Sequence, residues 1–140
     1  SPLRDVYKRQ SLPDSEADRV LQLVGLQSAG KKKAGTFSTG MKGRLALAQA
    51  LIGEPEVLIL DEPQNGLDPE GIAHLRAYLR DYARAGRTVL VSSHQLGEVL
   101  HMADDATVIA GGDVRFAGEL AELGPNLEES FFRLTAGGAQ

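Results

Sequence analysis

A short apolar run that ends in two neighbouring carboxylates constrains the fold of this chain more than any other feature. The run is Val57 to Leu60, and Asp61, Glu62 and Pro63 follow it directly. A short apolar run of this β-type composition predicts a buried strand. In an open α/β sheet, ligands bind at the carboxyl ends of the strands. The sequence therefore predicts two acid groups at the ligand-binding edge of such a sheet.

The two carboxylates suit the hydrolysis of a nucleotide. Asp61 suits a Mg²⁺ ion, because this hard cation takes oxygen ligands and keeps several of its waters. Glu62 can act on the attacking water. Taken alone, such a pair is about as often a solvated acidic turn after a strand, so the interpretation needs support from other parts of the chain.

Helical and strand patterns alternate along the chain, which favours parallel strands. Predicted helices run from Asp14 to Gly25 and from Gly40 to about Ile52, and predicted strands cover residues 57–60 and 88–92. Asp68 followed by Pro69 predicts the start of a further helix, with the aspartate as its N-cap, and Gly86 predicts its end. A short helix from Leu96 follows.

The sequence of the last part of the chain predicts a hairpin followed by short closing helices. Its strands are expected over residues 106–110 and 114–117, joined by a three-residue loop, Gly111-Gly112-Asp113.

Composition narrows the function. The chain has 140 residues, a net charge of −4 and no cysteine. It is therefore long enough for one domain or for a piece of a larger one. The absence of cysteine excludes a disulfide framework, a thiolate zinc site and a cysteine nucleophile. The acidic balance argues against a nucleic-acid partner. The apolar runs are far shorter than the roughly 20 residues that a membrane span needs.

Four ordered elements together resemble the nucleotide-binding subunit of an ATP-binding cassette (ABC) transporter. Residues 37–41, Phe-Ser-Thr-Gly-Met, stand where this family has its signature, and residues 57–62 match its Walker B strand and glutamate. Residues 65–68 match the D-loop, and His94 matches the switch histidine. Each element alone is a weak signal, but all four in order and at family-like spacing are a strong one. The match runs from about Asp14 to Leu123.

The resemblance implies ATP and Mg²⁺ as cofactors and a role for each element. Asp61 would hold Mg²⁺, Glu62 would activate water, and His94 would contact the γ-phosphate of ATP. The N-terminus of a helix favours a phosphate, and the signature would bind ATP held by the opposite subunit of a dimer. The expected ATP-binding residues are Ser38, Thr39, Gly40, Met41 and Asp68, the last at the dimer seam.

The sequence also departs from the family pattern. Thr39 replaces a signature glycine, and Met41-Lys42 replaces glutamine; such variants resemble those of ABC-2 type drug and peptide exporters. Gln64 stands where threonine or serine is common, which we interpret as a tolerated change. No Gly-x-x-x-x-Gly-Lys-Ser/Thr motif or Q-loop is present. We therefore expect the C-terminal portion of a cassette, with an exposed strand at residues 88–92 and an isolated chain that is unstable.

The expected fold is α/β: a partial P-loop NTPase domain of the ABC type, with a mostly parallel sheet, flanking helices and part of the helical subdomain. We expect a non-native or disordered segment over residues 1–10, the helical subdomain over 11–55, the catalytic portion over 56–124, and a closing helix and tail over 125–140.

The expected function is ATP binding and hydrolysis that powers export across a membrane. The expected partners are a second nucleotide-binding subunit and transmembrane permease subunits, which would hold the chain at the cytoplasmic face of the membrane. Alternatives are a non-transport ABC ATPase of translation or DNA repair, and a catalytically dead regulatory fragment. Only about twenty residues separate Ser38 from Asp61, which disfavours repair proteins, because those carry long coiled coils between these motifs.

Overall fold

The structure is a computed structural model that describes residues 14–26 and 38–136. The chain divides into two compact units, one ending at Ser92 and one beginning at Ser93. The expectations for residues 1–10 and for Phe37 lie outside the described residues. Within them, no helix is both long and apolar enough to cross a lipid bilayer.

The described part of the first unit has three helices and two strands, and all five were predicted to within two residues at each end. They are α1 (Asp14–Leu23), α2 (Thr39–Leu51), β1 (Val57–Asp61), α3 (Pro69–Arg84) and β2 (Thr88–Ser92). Helix α1 packs on α2, α2 packs on β1, and α3 packs on β2. The core between them is aliphatic and includes Val20, Ala48, Leu51, Leu58 and Leu79, each at most 2% exposed.

Side-chain caps explain where two of these helices begin. Ser38 is the N-cap of α2, and its hydroxyl accepts a hydrogen bond from the backbone N–H of Met41 at 3.2 Å. Asp68 is the N-cap of α3, and its Oδ1 accepts from the N–H of Gly71 at 2.8 Å. Each cap satisfies a donor that has no partner within its own helix. The predicted cap at Asp68 is confirmed.

Strands β1 and β2 pair in parallel, from Val57 opposite Thr88 to Asp61 opposite Ser92. Because side chains alternate along a strand, one face of the pair turns Leu58 and Leu60 into the core. The other face leaves three apolar side chains largely exposed: Val57 at 55%, Ile59 at 68% and Leu90 at 60%. Parallel strands are usually covered on both faces. The exposed strand expected at residues 88–92 is confirmed by the exposure of Leu90 in β2.

A charged network ties α1 to the connection between α2 and β1. Arg19 donates to both carboxylate oxygens of Glu16, at 2.9 and 2.5 Å, and lies 3.8 Å from a carboxylate oxygen of Glu54. Glu16 also accepts from the N–H of Gly53 at 3.1 Å, and Glu54 pairs with Arg87 at 3.1 Å. The Arg19 hydrogen bond lowers the pKa of Glu16, and the reciprocal bond raises the pKa of Arg19.

The second unit contains a helix, a hairpin and a closing helical segment. Its elements are α4 (Leu96–Met102), β3 (Asp105–Ala110), β4 (Asp113–Glu119), a 3₁₀ turn (Leu120–Leu123) and α5 (Leu127–Ala136). Strands β3 and β4 pair antiparallel. The α/β class is confirmed, with one parallel pair in the first unit and one antiparallel hairpin in the second.

The hairpin loop has two residues, so the prediction of a three-residue loop was wrong. Asp113 pairs with Ala110 and therefore belongs to β4. The loop is Gly111 and Gly112, whose φ angles are 61° and 83°. Two successive residues at positive φ are what a two-residue type I′ turn requires, and glycine adopts that conformation without steric cost.

Candidate functional site

The carboxyl ends of β1 and β2 meet at Asp61 and Ser92. The two residues face each other in the parallel register, and the Ser92 hydroxyl donates a hydrogen bond to Oδ1 of Asp61. Asp61 is otherwise exposed. An ionised carboxylate has about four acceptor positions, so this bond leaves room for a cation. The serine fixes the orientation of the aspartate.

Glu62 has an unusual backbone conformation, with a φ of 46°. For a residue other than glycine this left-handed conformation costs roughly 1 to 3 kcal/mol. Three hydrogen bonds hold it: its N–H donates to the Ser92 carbonyl at 3.0 Å and to the Ser92 hydroxyl at 3.3 Å, and its carbonyl accepts from Asn65 at 3.1 Å. The chain therefore turns sharply after Asp61, and the side chain of Glu62 leaves the line of the strand.

Gln64 lies beneath this turn and is only 2% exposed. Its amide Nε2 donates to Oε2 of Glu62 at 2.7 Å. Because a carboxylate can only accept, the NH₂ end of the amide must face it. The backbone carbonyl of Gln64 accepts a hydrogen bond from the N–H of Leu67 at 3.1 Å. Residues 62–67 thus form two consecutive turns that lead from β1 to the start of α3.

The start of α2 can accept an anion. The Ser38 hydroxyl accepts a hydrogen bond from the N–H of Met41. The Ser38 backbone carbonyl accepts one from the N–H of Lys42 at 2.9 Å. The bond to Lys42 is the first intrahelical one, so the four N–H groups without an intrahelical partner are those of residues 38–41. Thr39 and Gly40 carry two of these four donors. Ser38 itself is exposed, and a hydroxyl that accepts one bond can still donate its own proton.

The start of α2 and the turn that follows β1 are in direct contact. A Cβ atom placed on Gly40 would lie 3.0 Å from the carbonyl oxygen of Gly66, and one placed on Gly43 would lie 3.6 Å from that of Asn65. One turn further along the helix, Arg44 lies 4.0 Å from the carboxylate of Asp68. The structure therefore brings together the signature segment and the D-loop segment, which are about 25 residues apart in sequence.

His94 belongs to the second unit and is exposed. It lies in the short segment that follows β2, where the N–H of Gln95 donates to the hydroxyl of Ser93 at 3.0 Å. The role expected for this histidine at the γ-phosphate stays a prediction.

Two residues of the site, Ser92 and Gln64, had no functional role predicted from the sequence. Ser92 could have been found by aligning the carboxyl ends of the two predicted strands, since this places it opposite Asp61. Gln64 was interpreted as a tolerated replacement. Its burial and its bond to Glu62 depend on the path of the 62–67 turns, for which the sequence carries no separate signal.

No cluster of three or more histidine, cysteine, aspartate or glutamate residues in the described segments could hold a metal ion. Mg²⁺ is commonly bound by one or two carboxylates together with substrate phosphates and water. The exposed carboxylate of Asp61, fixed by Ser92, fits that pattern.

Comparison with known proteins supports the same interpretation. Residues 3–65 match the family model described as ABC transporter. The chain is 48% identical over 96 residues to the bacitracin transport ATP-binding protein of Bacillus licheniformis, covering 68% of this chain and 31% of that protein. It is 45% identical over 112 residues to the lantibiotic transport ATP-binding protein of Streptococcus pyogenes, covering 80% of this chain and 48% of that protein.

A solved structure of the ATP-binding subunit of an ABC transporter superposes with a TM-score of 0.82 at 27% identity, covering 94% of this chain and 60% of that one. The fold and the site therefore define part of an ABC-type nucleotide-binding domain, within the P-loop NTPase class. The chain belongs to the family of ABC transporter ATP-binding proteins. It spans 31% of the length of the first curated relative and 48% of the length of the second.

Proposed function

We propose that this chain provides the Walker B, signature and D-loop segments of an ATPase that powers transport across a membrane. The observation that carries the proposal is the arrangement at the end of β1. There the Asp61 carboxylate is fixed by Ser92, and the next residue, Glu62, is turned out of the strand and held by Gln64. Both carboxylates are thereby oriented before any ligand arrives.

Asp61 would hold Mg²⁺ at this edge, and the bound ion would neutralise charge on the phosphates of ATP. Glu62 would orient the attacking water and accept its proton. Phosphoryl transfer asks a protein mainly for positioning and charge stabilisation. The hydrogen bonds around Glu62 supply the positioning, because they fix both its backbone and its carboxylate.

The start of α2 would bind the γ-phosphate of ATP held by a second nucleotide-binding subunit. The N–H groups of Thr39 and Gly40 and the hydroxyl of Ser38 are the donors for this contact, and the helix dipole adds a partial positive charge. Met41 would flank that phosphate, and Asp68 would lie at the dimer seam. His94 would contact a γ-phosphate of ATP.

The partners of such an ATPase would be a second copy of the nucleotide-binding subunit and transmembrane subunits that carry the substrate, with the chain on the cytoplasmic side. The two curated relatives are named for transport of bacitracin and of a lantibiotic. These names favour antimicrobial peptides as the class of substrate that is exported.

The test is Glu62→Gln in the full-length gene product that carries this sequence. ATP turnover is expected to fall by at least about 100-fold, the usual contribution of a positioned general base. ATP binding and ATP-dependent dimerisation are expected to remain. Glu56→Gln is the matched control, because Glu56 is exposed and lies just before β1, away from its carboxyl end. Unchanged turnover in Glu62→Gln would remove Glu62 from the reaction.

A further inference from the structure

Gln64 combines near-complete burial with a direct bond to a carboxylate. It is 2% exposed, and in the described chain only it and Ser130 are both polar and buried. Burying an amide is costly unless it makes hydrogen bonds. At the NH₂ end of the amide, Nε2 makes such a bond to Oε2 of Glu62, at 2.7 Å. A buried side chain whose polar group faces the proposed general base has a role beyond filling space.

We propose that Gln64 is the positioning residue for the Glu62 carboxylate. The inference rests on the proposed function, because it assigns to Gln64 a role that acts through Glu62. Gln64 would then have a specific role at the site and would be more than a tolerated substitution.

The backbone of Glu62 alone cannot fix its carboxylate. Ser92 holds the N–H of Glu62, which sets the direction of its Cα–Cβ bond. Three side-chain torsions still separate that bond from the carboxylate oxygens. Gln64 removes this freedom at the far end of the side chain by binding Oε2. The two anchors together define where a water bound to the carboxylate would lie.

The chemical nature of the anchor also matters. A lysine or arginine in this place would pair with the carboxylate as a full positive charge and make it a weaker base. A neutral amide donor orients the carboxylate with a much smaller effect on its charge. Gln64 therefore combines orientation of the carboxylate with retention of its basicity, which general-base catalysis requires.

The anchor is also connected to the D-loop segment. The backbone carbonyl of Gln64 accepts a hydrogen bond from the N–H of Leu67. Gly66, which lies between these two residues in sequence, contacts Gly40 at the start of α2. A shift of the 64–67 turn therefore moves the amide that holds Glu62. The position of the Glu62 carboxylate would therefore depend on the contact between the signature and D-loop segments.

The test compares Gln64→Met with wild type in the full-length gene product. Methionine is unbranched and similar in volume, so it fills the buried position, but it cannot donate. We expect kcat for ATP hydrolysis to fall by about 10- to 100-fold, the range seen when a reacting group is misplaced by about 1 Å. KM for Mg-ATP is expected to stay within about twofold of wild type. Gln64→Glu, which puts an acceptor against an acceptor, is expected to lose at least as much.

The matched control is Gln49→Met, since Gln49 is exposed on α2 and the chemical change is the same. A kcat for Gln64→Met equal to that of wild type or of Gln49→Met would overturn the proposal. A loss of kcat that tracks a lower Tm across both Gln64 variants would also overturn it, because it would indicate a structural role.

Glu62→Gln separates this inference from the proposed function. In the double variant Glu62→Gln/Gln64→Met, residue 62 is neutral and needs no anchor for a base. ATP-dependent dimerisation is therefore expected to match that of Glu62→Gln alone, and weaker dimerisation would overturn the inference. If Glu62→Gln abolishes turnover while Gln64→Met does not reduce it, only the role of Gln64 is wrong. If Glu62→Gln hydrolyses ATP normally, the proposed function fails at its general base, and the role of Gln64 fails with it.

Discussion

Two glycines at the start of α2 provide a test of the contact between the signature and D-loop segments. Replacing either with alanine adds one methyl group to the same turn of one helix, and each change gains about 0.5 to 1 kcal/mol because alanine is the better helix former. The new methyl group meets different surroundings. At Gly40 it would lie 3.0 Å from the carbonyl oxygen of Gly66, and at Gly43 it would lie 3.6 Å from that of Asn65.

The magnitude follows from these distances. At 3.6 Å the methyl group makes an ordinary van der Waals contact, so Gly43→Ala is expected to be stabilising. At 3.0 Å it overlaps a backbone atom that can move only with the 64–67 turn. Overpacking of this kind typically costs about 1 to 3 kcal/mol. Because the helix-propensity gain is common to both variants, the difference between them isolates this steric cost.

The assay is thermal unfolding of the full-length gene product, followed by ATP turnover. At about 2 to 4 °C per kcal/mol for proteins of 150 to 250 residues, Gly40→Ala should melt about 2 to 12 °C below Gly43→Ala. Turnover should fall in Gly40→Ala and persist in Gly43→Ala, since only the first displaces the turn that carries Gln64. Equal melting temperatures and equal turnover in the two variants would refute the contact.

Three further predictions follow from single interactions. Asp68→Ala removes the N-cap of α3 and should cost about 1 kcal/mol of unfolding free energy by thermal or urea denaturation. Asp68→Asn keeps the cap and should cost less, because Asp68 is 64% exposed in its 4.0 Å pair with Arg44 and exposed pairs contribute little; equal losses would contradict the capping role. The Arg19 bond lowers the pKa of Glu16 below its ordinary 4.5. Its stabilisation is therefore present above that value and lost as the pH falls through the lowered pKa. The Tm gap between wild type and Glu16→Gln should narrow as the pH falls below 4.5, and a gap independent of pH would rule this out. Ile59→Lys should reduce association of the 140-residue chain, measured by light scattering, because Ile59 is 68% exposed on the apolar face of the β1–β2 pair; undiminished scattering would show that this face does not drive association.

Local signals in the sequence were enough to predict the elements of the first unit. Asp68 and Pro69 specify a helix start through a cap and a fixed φ, and these depend on neighbouring residues alone. The hairpin loop was predicted with the wrong length, because Asp113 is both a common turn residue and, here, the first residue of β4. Its place depends on its pairing with Ala110 across the hairpin, which is not a property of the loop residues themselves.

The residues that support the carboxylates of Asp61 and Glu62 were harder to predict, because their positions depend on strand register and burial. Ser92 meets Asp61 only because β1 and β2 pair without a shift along their full length. A shift of one residue would turn Ser92 to the other face. Gln64 meets Glu62 only because Glu62 takes a left-handed conformation, which the sequence Glu-Pro-Gln does not favour. The sequence thus identified the groups that would react with the nucleotide, and the structure identified the groups that orient them.

The alternation of side chains along β1 links the apolar face to the chemistry. Asp61 has the same parity as Val57 and Ile59, so its side chain emerges on the face where those residues are exposed. Any element that covers this apolar face would also remove water from one side of the Asp61 carboxylate. Electrostatic interactions strengthen as the surroundings lose water, so the attraction between Asp61 and a bound Mg²⁺ would grow with that coverage. Burial of Ile59 and Leu90 and tight binding of the cation are therefore expected to occur together.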